Sequence, residues 1–289
     1  MTELIEKRIR FFSFSNLKLG NVVVLWGLLT VSSMSLAGMS NMQKAKYATP
    51  MPNLMMLIES HAYELELDNE QLAVVRNWRK SHHHQIQQWM NELIETEKFM
   101  HDAVLEGATD AEVEDYKREV LKKRGDLIDL KARCVKRMRQ TLDDEQWNRL
   151  VALYQKRRQA MMGASKKVNE VQSFLRVSPM PKLMVVVLMQ GDKLNLSPEQ
   201  ARALEKWRIE HMNRWSAMFD EVVRSEKHLT QEALDMAPAE KLETRFSELL
   251  ELRKNMAAMS LACRDNVRRV LNDRQWQTLV SLFEGQMVH

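Results

Sequence analysis

Glycine and proline are scarce in this chain of 289 residues, which has 8 glycines, 6 prolines and 2 cysteines. So few turn-forming residues argue against a β-sandwich or β-barrel, whose many strands need many turns. The sequence also lacks a glycine-rich phosphate loop, a dinucleotide fingerprint, a zincin motif and a nucleophile elbow. We therefore expect a protein that is not an enzyme and that needs no cofactor.

The residues that are abundant are typical of amphipathic helices. Hydrophobic residues make up 45% of the chain, charged residues 28%, and there are 21 methionines. This composition supports a packed core and an all-α fold. The 43 basic and 39 acidic residues leave a net charge of +4. Such a mixed surface does not indicate nucleic-acid binding, which requires a concentrated excess of lysine and arginine.

The N-terminus has the pattern of a secretory signal peptide. Basic residues open the chain, and the apolar run 22–37 that follows is shorter than the roughly 20 residues of a membrane-spanning helix. The run ends with small residues at Ser35 and Ala37, as at a cleavage site. We predict a signal peptide over 1–37, a flexible lead-in over 38–50, a periplasmic location and no stable membrane span after cleavage. An uncleaved inner-membrane anchor is the alternative.

The rest of the chain matches itself without a gap at one constant offset, which aligns Pro52 with Pro181. At this offset Trp78 meets Trp207, and Cys134 meets Cys263. A match of this length indicates a tandem duplication, and apolar residues in each copy recur at the spacing of a helix. Each repeat is predicted to contain a short first helix, a long hairpin of two helices and a closing helix. The predicted boundaries are 51–162 for the first repeat, 163–179 for a linker and 180–286 for the second repeat.

A short helix-start motif occurs four times, twice in each repeat. Each copy has a leucine, then an N-cap residue, then a glutamine three residues after the cap. The cap side chain accepts from the backbone N–H of the glutamine, the glutamine side chain returns to the cap, and the leucine packs on the first turn. The caps predict helix starts at residues 69, 144, 198 and 273. The motif residues are Leu67, Asp68 and Gln71, Leu142, Asp143 and Gln146, Leu196, Ser197 and Gln200, and Leu271, Asn272 and Gln275.

This motif, twice in each exported helical unit of about a hundred residues, resembles the LTxxQ-motif periplasmic proteins of the Spy and CpxP type. The resemblance covers nearly the whole chain after the signal peptide, as two family units in tandem. It implies a helical hairpin unit that dimerises into a thin curved cradle, and here an elongated helical array that is an intramolecular pseudo-dimer. The chain departs from the family pattern at the cap, where Asp, Asp, Ser and Asn replace Thr but preserve the capping chemistry.

The resemblance also implies a function. It predicts a non-enzymatic, ATP-independent chaperone or stress adaptor in the periplasm, which binds unfolded or misfolded envelope proteins or the periplasmic domain of a sensor kinase. The alternative is a periplasmic metal-responsive sensor or metal buffer. We expect either a monomer with pseudo-dimeric halves or a homodimer.

Tryptophans and methionines are candidates for contact with clients. Both residue types suit an adaptable apolar surface, although most methionines are expected in the core. A thin cradle has little interior, so some of these side chains must be exposed unless another surface covers them. The candidate client-binding residues are Trp78, Trp89, Trp207 and Trp215.

The cysteines and histidines are candidates for other chemistry. Cys134 and Cys263 occupy equivalent positions in an exported chain, so a disulfide between them and two buried free thiols are both open alternatives. Consecutive histidines on a helix point in different directions and cannot converge on one ion. We therefore expect no metal site. The weak candidates are His82, His211 and His228, of which only His228 has a suitable residue four positions on, Glu232.

Overall fold

The computed structural model describes residues 44, 47–164, 177 and 180–287. Over these residues the secondary structure is helical and contains no strand, which confirms the all-α prediction. The predicted signal peptide, most of the predicted lead-in and most of the predicted linker lie outside the described residues. Among the described helices, none combines the length and hydropathy that crossing a membrane requires.

Eight α-helices lie within the described residues and form two series of four. The first series is α1 (Leu54–Ser60), α2 (Asn69–Glu106), α3 (Asp110–Thr141) and α4 (Asp144–Ala164). The second series is α5 (Leu183–Gln190), α6 (Pro198–Leu234), α7 (Ala239–Val270) and α8 (Asp273–Met287), with a 3-10 turn at Gly191–Leu194. Each helix of the second series begins at the position that the sequence match aligns with the start of its counterpart. The offset of the sequence match is therefore also the offset of the helices.

The described residues divide into two compact units. The larger unit combines the described residues up to 181 with residues 217–258, and the smaller unit combines 182–216 with 259–287. The first repeat lies wholly within the larger unit. The second hairpin contributes to both units, since the parts of α6 and α7 nearest their connecting turn belong to the larger one.

The turn of the first hairpin is built from local backbone chemistry. α2 ends at Gly107, whose φ of 90° lies in the left-handed region that favours glycine. The Thr109 side chain accepts from the backbone N–H of Glu112, and the Glu112 carboxylate accepts from the backbone N–H of Thr109 at 2.8 Å. This capping box begins α3 three residues after Gly107, so the two long helices run antiparallel.

Two arginine–glutamate pairs lie inside the larger unit. Arg124 of α3 donates from Nε and Nη2 to Glu97 Oε1 of α2, at 3.1 and 2.7 Å. Arg253 of α7 donates from Nη2 to Glu226 Oε1 of α6 at 2.5 Å. All four side chains are buried, and the second pair occupies the positions equivalent to the first. Both arginines line one small internal cavity, so the two pairs lie close together.

The end of the predicted lead-in is packed into this region, which corrects the expectation of a flexible segment for residues 47–50. The Tyr47 hydroxyl donates to Glu97 Oε2 at 2.5 Å, and Arg124 Nη1 donates to the carbonyls of Tyr47 and Ala48 at 3.1 and 3.3 Å. Burial, followed by the neighbouring carboxylate of Glu97, raises the pKa of Tyr47 well above its usual value. The hydrogen bonds from the buried Arg124 guanidinium to these two carbonyls therefore hold this segment in place.

The same segment connects the two repeats within the larger unit. The Thr230 hydroxyl of α6 donates to the Pro50 carbonyl at 2.8 Å. α3 also approaches α7 closely, because a Cβ atom on Gly125 would lie 3.2 Å from Cζ of Phe246. The larger unit is thus a joint structure of the first repeat and the turn end of the second hairpin.

We predict that Arg124→Met lowers the free energy of unfolding by about 3–5 kcal/mol, because it leaves the buried Glu97 carboxylate without its cation. Adding Glu97→Gln to that variant should recover part of the loss, since a neutral amide costs less to bury. Urea unfolding followed by circular dichroism measures both changes. Arg118→Met, which breaks an exposed ion pair with Asp115 on the same helix, is the control and should change little. An Arg124→Met variant as stable as this control would contradict the prediction.

Candidate binding surface

All four predicted helix starts carry complete capping boxes. The backbone N–H of each motif glutamine donates to the cap side chain, at 2.7 Å for Asp68, 2.8 Å for Asp143, 3.2 Å for Ser197 and 2.9 Å for Asn272. Each glutamine Oε1 in return accepts from the backbone N–H of its cap residue. Of the motif leucines, Leu142 and Leu271 are buried, and Leu67 and Leu196 are half-buried.

The motif glutamines also bind one another across helices, which the sequence analysis did not predict. In the larger unit Gln71 Nε2 donates to Gln146 Oε1 at 2.7 Å and to the Thr141 carbonyl at 3.0 Å. Gln146 Nε2 donates back to Gln71 Oε1 at 3.0 Å and to the Glu66 carbonyl at 3.2 Å. Each amide thus acts as donor and acceptor at once and joins the starts of α2 and α4 to the end of α3.

The smaller unit repeats this cluster. Gln200 and Gln275 exchange hydrogen bonds at 2.8 and 3.0 Å, and they also donate to the carbonyls of Val270 and Asn195. Glu66 and Asn195, whose carbonyls accept from the second glutamine of each cluster, both have positive φ, at 54° and 47°. A glutamate would satisfy a capping box equally well, but it lacks the N–H₂ group that these contacts use. The inter-helix contacts therefore explain why glutamine occupies all four positions.

Two of the candidate tryptophans form equivalent stacks with histidines one turn later. The rings of Trp78 and His82 lie 4.1 Å apart, as do those of Trp207 and His211. Nδ1 of each histidine lies 2.9 or 2.8 Å from the carbonyl of its tryptophan. Because a carbonyl only accepts, Nδ1 is the protonated nitrogen in both rings. All four side chains are half-buried, so the stacks form part of the surface as well as the core.

The two cysteines are free thiols, so of the two alternatives the structure does not contain the disulfide. The Trp78 indole N–H hydrogen-bonds the Cys134 thiol in the larger unit, and the Met184 backbone N–H hydrogen-bonds Cys263 in the smaller unit. Burial raises the pKa of Cys134 to about 11 and that of Cys263 to about 12. Both groups are therefore thiols rather than reactive thiolates at neutral pH.

The weak metal candidates are not brought together with other ligands. Within the described part of the chain, no group of three or more His, Cys, Asp or Glu side chains has metal-binding geometry. His228 is exposed. Its predicted partner Glu232 instead pairs with Lys241 at 3.0 Å and with Arg245 at 3.5 Å. Desolvation by burial acts to raise the pKa of the Glu232 carboxyl, but Lys241 and Arg245 together outweigh it, so the pKa is lowered.

The apolar surface includes residues that the sequence analysis missed. Trp89 and Trp215 are half-buried. More exposed are large apolar side chains on α2 and α6, Phe99 at 49% and Ile209 at 54% exposure, and two on or after α1, Met56 at 44% and Tyr63 at 97%. Phe99 does not belong to the apolar residues that recur at helical spacing along α2, so its exposure follows from its position on the helix. Ile209 lines a shallow depression of the smaller unit together with charged residues of the same helix.

We predict that Gln146→Glu lowers the free energy of unfolding by about 1–3 kcal/mol. A carboxylate lacks the two N–H groups of the glutamine amide, so its oxygen would face the acceptor oxygens of Gln71 and Glu66. Thermal unfolding measures the effect. Gln155→Glu, an exposed glutamine on the same helix, is the matched control and should leave stability nearly unchanged. Equal stability of the two variants would show that the inter-helix amide contacts contribute little.

We also predict that both thiols react slowly in the native protein at pH 9, because their raised pKa values leave little thiolate. Alkylation by iodoacetamide should be at least tenfold faster once urea has exposed both groups, whose pKa values then return to about 8.5. Thiol titration of the unreduced protein in urea should find both cysteines free. A protein that yields thiols only after reduction would instead contain the disulfide.

Comparisons with known proteins do not place this chain in a family. Searches against protein-family models, curated proteins and solved structures give no match. The resemblance to the LTxxQ-motif proteins therefore depends on the four Leu-cap-Gln motifs and their arrangement, and it stays a prediction.

Proposed function

We propose that this chain is a non-enzymatic periplasmic stress protein that binds unfolded envelope proteins without ATP. A related form of the proposal is an adaptor that binds the periplasmic domain of a sensor kinase. The observation that carries the proposal is the exposure of large apolar side chains, Phe99 and Ile209, on long surface helices. Unfolded proteins expose apolar segments of varied sequence, and such segments are held by apolar contact rather than by a shaped pocket.

The helical architecture explains why apolar side chains reach the surface. α2 has 38 residues and is therefore about 57 Å long. A helix of that length in a hairpin buries only the face towards its neighbours, and the half-buried Trp78 and Trp89 lie at the margin of that face. The apolar surface is consequently extended along the helix, which suits a segment of unfolded chain.

Charged residues of both signs flank the exposed apolar residues. Phe99 lies next to Lys98, which pairs with Asp102 at 2.8 Å. Ile209 lies between Lys206 and Glu210, which form a long ion pair at 3.9 Å. Exposed pairs of this kind are weak, so they keep the surface soluble and can exchange for charges of a client. The resemblance to the LTxxQ-motif proteins independently supports the same class of function.

The test is suppression of aggregation of a urea-denatured client diluted into buffer, followed by light scattering. We expect suppression at equimolar amounts of the chain, and a severalfold weaker effect from the double variant Phe99→Ser/Ile209→Ser, because apolar contact area is lost. Gln85→Ser/Asn213→Ser changes two exposed polar residues of the same helices and is the matched control. Failure of the unaltered chain to suppress aggregation at a tenfold excess would contradict the chaperone form of the proposal.

For the adaptor form, the same variants are titrated against the isolated periplasmic domain of a sensor kinase from the source organism by calorimetry. Binding that is weakened by Phe99→Ser/Ile209→Ser and unchanged by Gln85→Ser/Asn213→Ser would support the adaptor form. An absence of binding at micromolar concentrations would contradict it.

A further inference from the structure

Six exposed cations lie towards one end of the first hairpin and on the helix that follows it. Within the described residues, none of these side chains has a carboxylate partner, and all of them are exposed. Cations in the first half of α3 are paired instead. Arg118 pairs with Asp115, Lys122 with Asp126 and Arg124 with Glu97. We call the unpaired group the basic end; it consists of Arg76 and Lys80 on α2, Lys136 and Arg137 on α3, and Lys156 and Arg157 on α4.

Contacts across the hairpin show that the members on α2 and α3 lie at the same level. Gln71 of α2 binds the carbonyl of Thr141 at the end of α3, and Trp78 binds Cys134. Residues 76–80 of α2 are therefore opposite residues 132–136 of α3. α4 begins at this same end, three residues after α3, and packs against α1.

Some of the acidic residues near this end are paired with cations of the protein. Glu59 pairs with Arg79, Glu66 with Arg149 at 3.2 Å, and Asp144 with Arg139. The carboxylates of these three residues are therefore occupied by arginines of the same chain. The six cations of the basic end take part in none of these pairs, in a chain whose overall charge is only slightly positive.

The second repeat shows that the basic end is not needed for the fold. At the equivalent positions of that repeat, whose helices have equivalent starts, none of the residues is a cation. Two positions are acidic and one is exposed and apolar. The equivalent residues are Glu205, Ile209, Asp265, Asn266, Gly285 and Gln286. Residues that serve the fold, such as Arg124 and Arg253, are present in both repeats.

Large apolar side chains are exposed on and just after α1, the helix that packs beside α2 and α4. Tyr63 is 97% exposed and Met56 is 44% exposed, and α1 contacts both α2 and α4. An exposed tyrosine in the same unit as several unpaired cations suits the boundary between water and a phospholipid bilayer, where the ring enters the headgroup layer and the cations meet phosphates. A nucleic acid or an acidic protein would use the cations but would gain less from these apolar groups.

We infer that the basic end is a peripheral binding surface for anionic phospholipid membranes. The cations come from three helices and so suit a continuous negatively charged surface better than a single phosphate group. Attraction of this type is additive over the cations and weakens within a Debye length, so it depends strongly on salt. This inference is independent of client binding, which uses Phe99 and Ile209.

The test is sedimentation of the full chain with vesicles of phosphatidylcholine alone and of phosphatidylcholine with about a third phosphatidylglycerol. We expect tighter binding to the anionic vesicles at low salt, with the difference lost near 0.5 M salt, about three times the physiological ionic strength. Binding to the neutral vesicles accounts for the apolar N-terminal run. The basic residues that open the chain are the same in every variant, so the difference between variants reports on the basic end.

Lys80→Gln/Lys136→Gln/Arg137→Gln should weaken binding to the anionic vesicles by about fivefold per charge, and so by roughly a hundredfold. The matched control Arg214→Gln/Arg224→Gln/Lys227→Gln removes three exposed cations of α6 and should have a much smaller effect. Circular dichroism and urea unfolding establish that both variants fold. Equal loss in the two triple variants, absence of a preference for anionic vesicles, or stronger binding to single-stranded DNA than to the vesicles would each overturn the inference.

Discussion

The buried charge pairs constrain the larger unit more than any other contact. Glu97 and Arg124 are wholly enclosed, and the Arg124 guanidinium also binds the carbonyls of Tyr47 and Ala48. A buried carboxylate or guanidinium is costly without its partner, so α2, α3 and the segment before α1 must keep their relative positions. The equivalent pair Glu226–Arg253 imposes the same condition on α6 and α7. Within the larger unit the two hairpins are therefore fixed at a shared polar centre, with apolar packing around it.

Local chemistry made much of the fold predictable from the sequence. The caps at Asp68, Asp143, Ser197 and Asn272 predict helix starts at 69, 144, 198 and 273, and the helices begin at those residues. A capping box involves side chains and backbone only three residues apart, so no knowledge of the tertiary structure is needed to recognise it. The turn at Thr109 and Glu112 is predictable for the same reason. Periodicity likewise indicates which face of each helix is apolar, because that pattern is also local.

Contacts between residues distant in the chain were the ones the sequence did not reveal. Gln71 and Gln146 are recognisable from the sequence only as cap partners, since nothing local shows that their amides meet. Glu97 and Arg124 are 27 residues apart, and charged residues are ordinarily solvated on helix faces. Tyr47 follows an apolar leader and looks like part of a linker until its hydroxyl is seen to reach Glu97. One signal was available: Glu97 and Arg124 recur at the equivalent positions as Glu226 and Arg253, so both charges of the pair are present in both repeats.

The two repeats therefore separate the residues that build the fold from those that can diverge. The capping glutamines, the arginine–glutamate pairs and the tryptophan–histidine stacks all occur twice at one offset, and each pair is formed by equivalent residues in both copies. Buried hydrogen bonds and charges leave little freedom to change one partner alone. Exposed positions carry no such restriction, so Lys80 corresponds to Ile209, and Lys136 to Asp265.

A chain with two similar scaffolds can consequently present two different surfaces, one rich in unpaired cations and one with an exposed isoleucine between weakly paired charges. Differences between the repeats at exposed positions are therefore where distinct binding roles should be sought, and matched substitutions in the two repeats are the natural controls for one another.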